Sequence, residues 1–152
     1  MPVFKRILFP VSLTKISPHV VPYVALMGGK FDAEIHLLHV VRDLNAYVDS
    51  YVSQPSETDI KKFASSFEKE SLIAAKKQLT NFKNKHLQNH QSIKEAVIAG
   101  KPYKKIMEYI ESENIDLVIM GSGRNIQTNL FGSVADKVAK ISNTPVMLIK
   151  TV

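Results

Sequence analysis

Short apolar runs alternate along the chain with longer segments in which apolar residues recur every three or four positions. The short runs are rich in Val, Ile and Leu, and several are nearly continuous, which is typical of strands buried on both faces of a parallel sheet. The five predicted strands are Arg6–Val11, Glu34–Val41, Ile93–Ala99, Ile115–Met120 and Pro145–Lys150. Strands that alternate with helices in this way predict an α/β fold, an open sheet of five parallel strands with helices on both faces.

The first predicted helix lies in the stretch SPHVVPYVALMGGKF, after the first strand. Ser17 is a natural N-cap, Pro18 suits the first helical position, and Gly28-Gly29 should end the helix. Pro22 removes a hydrogen-bond donor inside this pattern, so it predicts a bend or a later start of the helix.

Three more helices are predicted. The second extends from Thr58 to about His86 and carries one apolar stripe. The members of that stripe are Ile60, Phe63, Phe67, Leu72, Ala75, Leu79 and Phe82. We expect its three phenylalanines to lie in the core and not to form a stacking platform for nucleic acid. The third helix begins near Pro102 and the fourth at Ser133.

Composition and charge narrow the classes of function. The 152 residues are enough for one domain, predicted to span 1–152, with a core that needs no covalent staples. The absence of cysteine excludes disulfides, zinc–thiolate sites and cysteine catalysis. No stretch has the pattern of a signal peptide or a membrane span, so we expect a cytoplasmic protein. The net charge of +6 is concentrated on a lysine-rich stretch, 61–85, that favours a solvated helix face over nucleic acid or a membrane as partner.

The segment Met120–Ser133 holds three of the chain's six glycines and follows the fourth predicted strand. In open α/β sheets ligands bind beyond the carboxyl ends of the strands, so the loops after strands one and four are candidate site loops. This loop lacks the Gly-Lys-Ser/Thr ending of a Walker A motif, and Ile126 stands where a dinucleotide fingerprint has its third glycine.

The pair Gly132-Ser133 is the more informative part of this loop. We expect Ser133 to cap a helix whose first N–H groups and partial positive charge suit a phosphate, and Gly132 to let that phosphate approach. Arg124 and Asn125 are further phosphate partners. The residues alone fit a purely structural turn and capped helix equally well.

Longer stretches of the chain resemble the universal stress protein family. DLVIMGSGRN…FGSVADKVAKISNTPVMLIK is similar to its C-terminal signature. FKRILFPVSLTKISPHVVPYVALMGGKFDAEIHLLHVV is similar to its first β-α-β unit, and AGKPYKKI to its Gly-x-Pro before the third helix. The resemblance covers essentially the whole chain. It implies a Rossmann-like sheet of the adenine-nucleotide alpha-hydrolase type with strand order 3-2-1-4-5, and a homodimer paired through the last strand, Pro145–Val152.

The resemblance also implies a ligand. It implies a stress-response protein that binds ATP, or ADP or AMP, as a regulatory ligand across the ends of strands one and four. The nucleotide is expected with or without Mg²⁺. The adenine and ribose would contact Pro10, Val11, Ser12 and Val40. The phosphates would contact Gly121, Gly123, Gly132, Ser133 and Val134, beside Arg124 and above Met120 at the floor of the pocket.

This sequence departs from the family pattern in two places. Ser12 stands where the nucleotide-binding branch usually has an aspartate, and a hydroxyl makes a weaker hydrogen bond than a carboxylate. The loop reads Gly-one-Gly-eight-Gly-Ser, shorter at both intervals than the usual two and nine. Three alternatives therefore stay open: a nucleotide-free dimeric interaction protein, a slow ATPase or self-phosphorylating protein, and a flavin-binding protein.

No catalytic set or metal site is predicted from spacing. His36 and His39 should point to opposite faces of their strand, one packed and one near the strand end. His86 and His90 are expected on the solvated surface. Asp116 precedes the fourth strand, where it should orient the sheet edge or cap a turn.

Overall fold

The computed structural model describes residues 3–13, 17–43, 57–123 and 132–150. In these ranges the strands are β1 (Arg6–Pro10), β2 (Glu34–Arg42), β3 (Ile93–Gly100), β4 (Leu117–Gly121) and β5 (Val146–Ile149). The helices are α1 (Ser17–Phe31), α2 (Glu57–His86), α3 (Pro102–Ser112) and α4 (Ser133–Ile141). The strands form one parallel sheet in the order β3-β2-β1-β4-β5. The predicted fold class and strand order are therefore confirmed.

Each face of the sheet is covered by two helices because successive side chains of a strand point in opposite directions. Ile7 and Phe9 of β1 pack into one core cluster with residues of α1 and α2, whereas Leu8 packs into a second cluster with residues of α3 and α4. All three side chains are fully buried. The apolar runs are nearly continuous because each strand contributes side chains to both core clusters.

Helix α1 differs from its prediction at both glycines and at Pro22. It begins at Ser17 and continues through Gly28 to Phe31, so neither the glycine stop nor the late start is correct. Gly28 serves packing instead, because a Cβ there would lie 2.8 Å from Cδ1 of Ile35 on β2. Burial of the apolar face of α1 compensates for the hydrogen bond that Pro22 cannot donate.

Helix α2 buries only part of its predicted stripe. Leu79 is fully buried and Phe82 packs against the core, but Phe63 and Phe67 are 71% and 48% exposed. Their two rings stack on each other with centroids 6.4 Å apart. The core prediction for these two residues is wrong, because a helix of 30 residues is about 45 Å long and the strand β2 of nine residues only about 30 Å. The Ile60 side chain lies outside the described residues.

The predictions for His36 and His39 are confirmed. His36 is fully buried, with Nε2 donating to Glu34 Oε1 at 2.7 Å and Nδ1 lying 2.6 Å from the Tyr109 hydroxyl. Burial raises the pKa of Tyr109 to about 12, with added effects of Glu113 and Glu34, so this hydroxyl keeps its proton. His39 is half-buried near the end of β2.

The surface prediction for His86 and His90 is wrong, since both are half-buried. His90 Nε2 donates to the Ala33 carbonyl at 2.7 Å, and the ring of His86 lies 4.7 Å from that of Phe82. Both histidines therefore pack between the end of α2 and the start of β3, at the amino edge of the sheet.

Asp116 orients the sheet edge, as predicted. Its Oδ2 accepts from the backbone N–H groups of Lys5 and Arg6, each at 2.9 Å, and so ties the start of β1 to the start of β4. We expect Asp116→Ala to lower the free energy of unfolding by about 1–3 kcal/mol, because two backbone donors lose a charged acceptor. Urea unfolding measures the loss. Asp116→Asn keeps one acceptor oxygen and should lose less; equal losses for the two variants would contradict this role.

Candidate functional site

A cleft of about 840 Å³ opens at the carboxyl edge of the sheet. The chain runs outward from β1 through β2 to β3 and then returns to the other side of β1 as β4, so the strand order reverses between β1 and β4. A reversal of this kind leaves room between the crossover connections, which is why ligands of open α/β sheets bind there. The volume lies in the range of small-molecule sites.

The structure brings the sequence-predicted residues together around this cleft. Those that line it are Pro10, Val11, Ser12, Val40, Met120, Gly121, Gly123, Gly132, Ser133 and Val134. They come from the ends of three strands and the start of α4. Arg124, Asn125 and Ile126 lie outside the described residues.

The middle of α2 also lines the cleft, which the sequence reasoning missed. Ser71, Ala74, Ala75 and Gln78 face it at three- and four-residue spacing. The sequence contained a signal for three of them, because Ser71, Ala74 and Ala75 are small residues at helical spacing, which leave room beside a helix. The prediction for α2 considered only its apolar stripe, which consists mainly of larger residues.

Two of the three glycines of this loop, Gly123 and Gly132, are explained by the conformation of the backbone. Gly123 has a φ of +59°, a left-handed conformation that favours glycine. Gly132 donates its N–H to the Ser122 carbonyl at 2.8 Å, and a Cβ on Gly132 would lie 2.9 Å from the Gly123 carbonyl oxygen. The two ends of the loop are therefore held in direct contact, and only a residue without a side chain fits at Gly132.

The start of α4 differs from its prediction by one position. Gly132 is the N-cap residue and Ser133 is the first helical residue, with no side-chain cap. The reason is the contact with Ser122, which holds Gly132 in an extended conformation, with ψ near 150°. Ser133 therefore contributes its backbone N–H to the first turn.

The first turn of α4 offers hydrogen-bond donors to the cleft. The first bond within the helix is donated by the Asp136 N–H to the Gly132 carbonyl at 2.9 Å. The N–H groups of Ser133, Val134 and Ala135 precede it and have no partner inside the helix, and all three residues line the cleft. Together with the helix dipole they suit an anion.

The opposite wall of the cleft is apolar and its backbone is fixed. Val11 donates its N–H to the Leu38 carbonyl at 2.8 Å and accepts from His39 Nδ1 at 2.6 Å. Since a carbonyl can only accept, Nδ1 carries the hydrogen of this bond. The buried side chains of Phe9, Leu38 and Met120 complete an apolar surface here, with Ser12 exposed beside it.

The described ranges contain neither a candidate metal site nor a candidate membrane-spanning helix. Within residues 3–13, 17–43, 57–123 and 132–150, no group of three or more His, Asp or Glu side chains is arranged to hold a metal ion. In the same part of the chain no helix combines the length and apolar character needed to cross a membrane.

The model of the Universal stress protein family matches residues 4–150. The universal stress protein MJ0577 of Methanocaldococcus jannaschii is 26% identical to this chain over 156 residues, which cover 97% of this chain and 95% of MJ0577. The solved structure of MJ0577 has a TM-score of 0.81 against this chain and covers 99% of it and 98% of its own length. The similarity therefore extends over nearly the whole of both chains.

Two solved structures of lower identity carry a nucleotide. A universal stress protein in complex with cAMP has a TM-score of 0.61 at 18% identity, covering 99% of both chains. A universal stress protein family protein from Arabidopsis thaliana with AMP bound has a TM-score of 0.62 at 18% identity, covering 97% of this chain and 92% of its own. At this identity the likeness shows the fold, and the ligands are those of the two neighbours.

The close approach at Gly132 gives a testable result. Gly132→Ala should lower the free energy of unfolding by about 1–3 kcal/mol, because the new Cβ is forced against backbone atoms of Gly123. Gly29→Ala is the matched control, since a Cβ there meets nothing within 4 Å; it should raise stability by about 0.5–1 kcal/mol through the helix propensity of alanine. Urea unfolding of both variants checks this. A Gly132→Ala protein as stable as the wild type would contradict the contact.

Proposed function

The chain belongs to the universal stress protein family, and on that premise we propose that its cleft binds an adenine nucleotide, ATP or its relatives ADP and AMP. The nucleotide would act as a regulatory ligand in a cytoplasmic stress response. One observation carries the proposal: the cleft is lined by the start of α4, whose first N–H groups have no partner within the helix, and also by an apolar surface at Val11, Leu38 and Met120. A nucleotide likewise has two parts of different character, an anionic phosphate group or chain and a flat base.

The apolar end suits the base and the sugar. Val11 and Val40 offer apolar contact for an adenine ring, and Met120 closes the floor beneath it. The fixed backbone of Val11 means that this surface needs no ordering when the ligand binds, which lowers the entropic cost of binding. Ser12, at the mouth of the cleft, would reach the ribose with a neutral hydroxyl.

The helical end suits the phosphates. The N–H groups of Ser133 and Val134 would donate to phosphate oxygens, and the dipole of α4 adds a favourable charge interaction. Asp136 in the same turn carries a negative charge, but its carboxylate is paired with Lys140 Nζ at 3.1 Å. A Mg²⁺ ion that accompanies the nucleotide would be held by the phosphates, as is usual for this ion.

A carboxylate placed at the phosphate end tests this proposal. Ser133→Asp should weaken ATP binding by at least about tenfold, because the added charge repels the phosphates and competes for N–H donors worth about 1.5–3 kcal/mol each to a charged acceptor. The fold should survive, since a carboxylate in the first turn is favourable to the helix. Isothermal titration calorimetry gives the affinity and thermal melting the stability.

The matched control is Ser92→Asp, which adds the same charge to an exposed side chain before β3, at the opposite edge of the sheet. Its affinity for ATP should equal that of the wild type. The proposal is wrong if well-folded wild-type protein gives no signal with ATP, ADP, AMP or cAMP. That outcome would favour a nucleotide-free interaction protein.

We also infer a homodimer through β5. This strand is an outer strand of the described sheet, and Val146 and Leu148 are only half-buried on it. The β4 ladder uses the carbonyl groups of Pro145 and Ile149, so Val146 and Leu148 direct their backbone N–H groups to the open side. An open apolar edge of this kind favours pairing with a second copy.

Charge on β5 should break this pairing. Val146→Lys places an ammonium group on the open strand of each copy, and sedimentation at micromolar concentration should change from dimer to monomer. Leu26→Lys adds the same charge to an apolar side chain on α1 that is 65% exposed, and it should leave the dimer intact. A wild-type protein that sediments as a monomer would rule the dimer out.

A further inference from the structure

Two ammonium groups lie beside a single tyrosine ring where α3 and α4 begin. Lys101 Nζ is 5.9 Å and Lys137 Nζ is 4.9 Å from the centroid of the Tyr103 ring. Lys101 is the N-cap residue of α3 and Tyr103 is in its first turn, whereas Lys137 is one turn into α4. Attraction to the ring draws together two positive charges that repel each other.

The described residues offer these two charges no counterion. Within the described ranges neither ammonium has a carboxylate oxygen within 4 Å. The nearest acidic groups along the same helices are already engaged, Glu108 with Lys105 and Asp136 with Lys140, each at 3.1 Å. The first turn of α3 contains no acidic residue. The positive charge of the cluster is therefore available to an anion that comes from outside the chain.

The cluster adjoins residues that line the proposed phosphate end of the cleft. Lys101 directly precedes Pro102, which lines the cleft. Lys137 follows Ser133 by four residues, so the two share one face of α4, and side chains of a helix lean towards its N-terminus. This geometry favours an approach of Lys137 to the side of the helix on which Ser133 lies. The N-terminal ends of α3 and α4 add their partial positive charges on the same side.

We propose that Lys101 and Lys137, held in place by Tyr103, bind the outer phosphates of the nucleotide, so that the protein prefers a triphosphate to a monophosphate. This inference rests on the proposed function and adds to it which nucleotide the site selects. The inner phosphate lies at Ser133 and Val134, and the chain continues from there to the two ammonium groups. Lysine suits this task because its compact charge and rotatable donors adapt to different phosphate oxygens.

The test compares ligands that differ only in the number of phosphates. Calorimetry with AMP, ADP, ATP and inorganic triphosphate is carried out on the wild type and on the double variant K101Q/K137Q. Because an exposed charge pair contributes about 0.2–1 kcal/mol, removing two should weaken ATP binding about 2- to 30-fold. AMP binding should change by less than about twofold, since its phosphate stays at α4. Inorganic triphosphate shows whether the cluster holds a phosphate chain without the nucleoside.

The control K30Q/K85Q removes the same net charge from two exposed lysines at the ends of α1 and α2, at the amino edge of the sheet. It should bind ATP and AMP as the wild type does. If wild-type protein binds AMP and ATP equally well, or if K101Q/K137Q weakens both to the same extent, the phosphate preference is wrong and the nucleotide site stands. If the wild type binds no nucleotide, both proposals are wrong.

Discussion

The backbone of Ser122 joins three elements at the point where β4 ends. Its N–H donates to the Ile149 carbonyl of β5 at 2.9 Å, and its carbonyl accepts from the Gly132 N–H at the start of α4 at 2.8 Å. These two hydrogen bonds fix where α4 begins relative to the edge of the sheet. They require a glycine at 132, because any Cβ there would meet the Gly123 backbone. The position of the candidate anion site therefore follows from backbone geometry before any side chain contributes.

The rest of the cleft is arranged around that fixed helix end. Parallel strands place all their carboxyl ends at one edge, and the reversal between β1 and β4 leaves a gap there. Val11, held between the Leu38 carbonyl and His39, forms the apolar side of the gap. The base and the phosphates of a nucleotide would thus meet surfaces that are already in place, so binding needs little ordering of the chain.

The elements of the fold could be predicted because each is encoded locally. Near-continuous apolar runs indicate buried parallel strands, and the family resemblance supplied their order. The errors arose where a distant contact decides the outcome. Helix α1 continues through Gly28, where Ile35 of β2 leaves no room for a side chain. Gly132, and not Ser133, is the N-cap residue of α4 because its N–H is bound to the Ser122 carbonyl. No pattern within α1 or the loop contains that information.

Some residues of the candidate site could likewise be predicted from the sequence, and others could not. Residues at strand ends could be placed from the sequence, since the topology alone brings those ends together. Phe63 was wrongly expected in the core because helical periodicity does not tell how far α2 extends beyond the sheet. Lys101 and Lys137 lie in separate segments, and only the packing of α3 against α4 places both beside Tyr103. Side-chain clusters assembled from distant segments are visible only in three dimensions.

The binding of a nucleotide across this edge is tested most directly by its effect on individual backbone amides. In a titration of isotope-labelled protein with ATP, followed by two-dimensional NMR, the N–H signals of Ser133, Val134 and Ala135 should shift most, together with that of Val40. The signal of Ser92, at the opposite edge of the sheet, should stay in place. Saturating ATP that leaves the amides of α4 unmoved, or that shifts only residues far from the cleft, would contradict the nucleotide site.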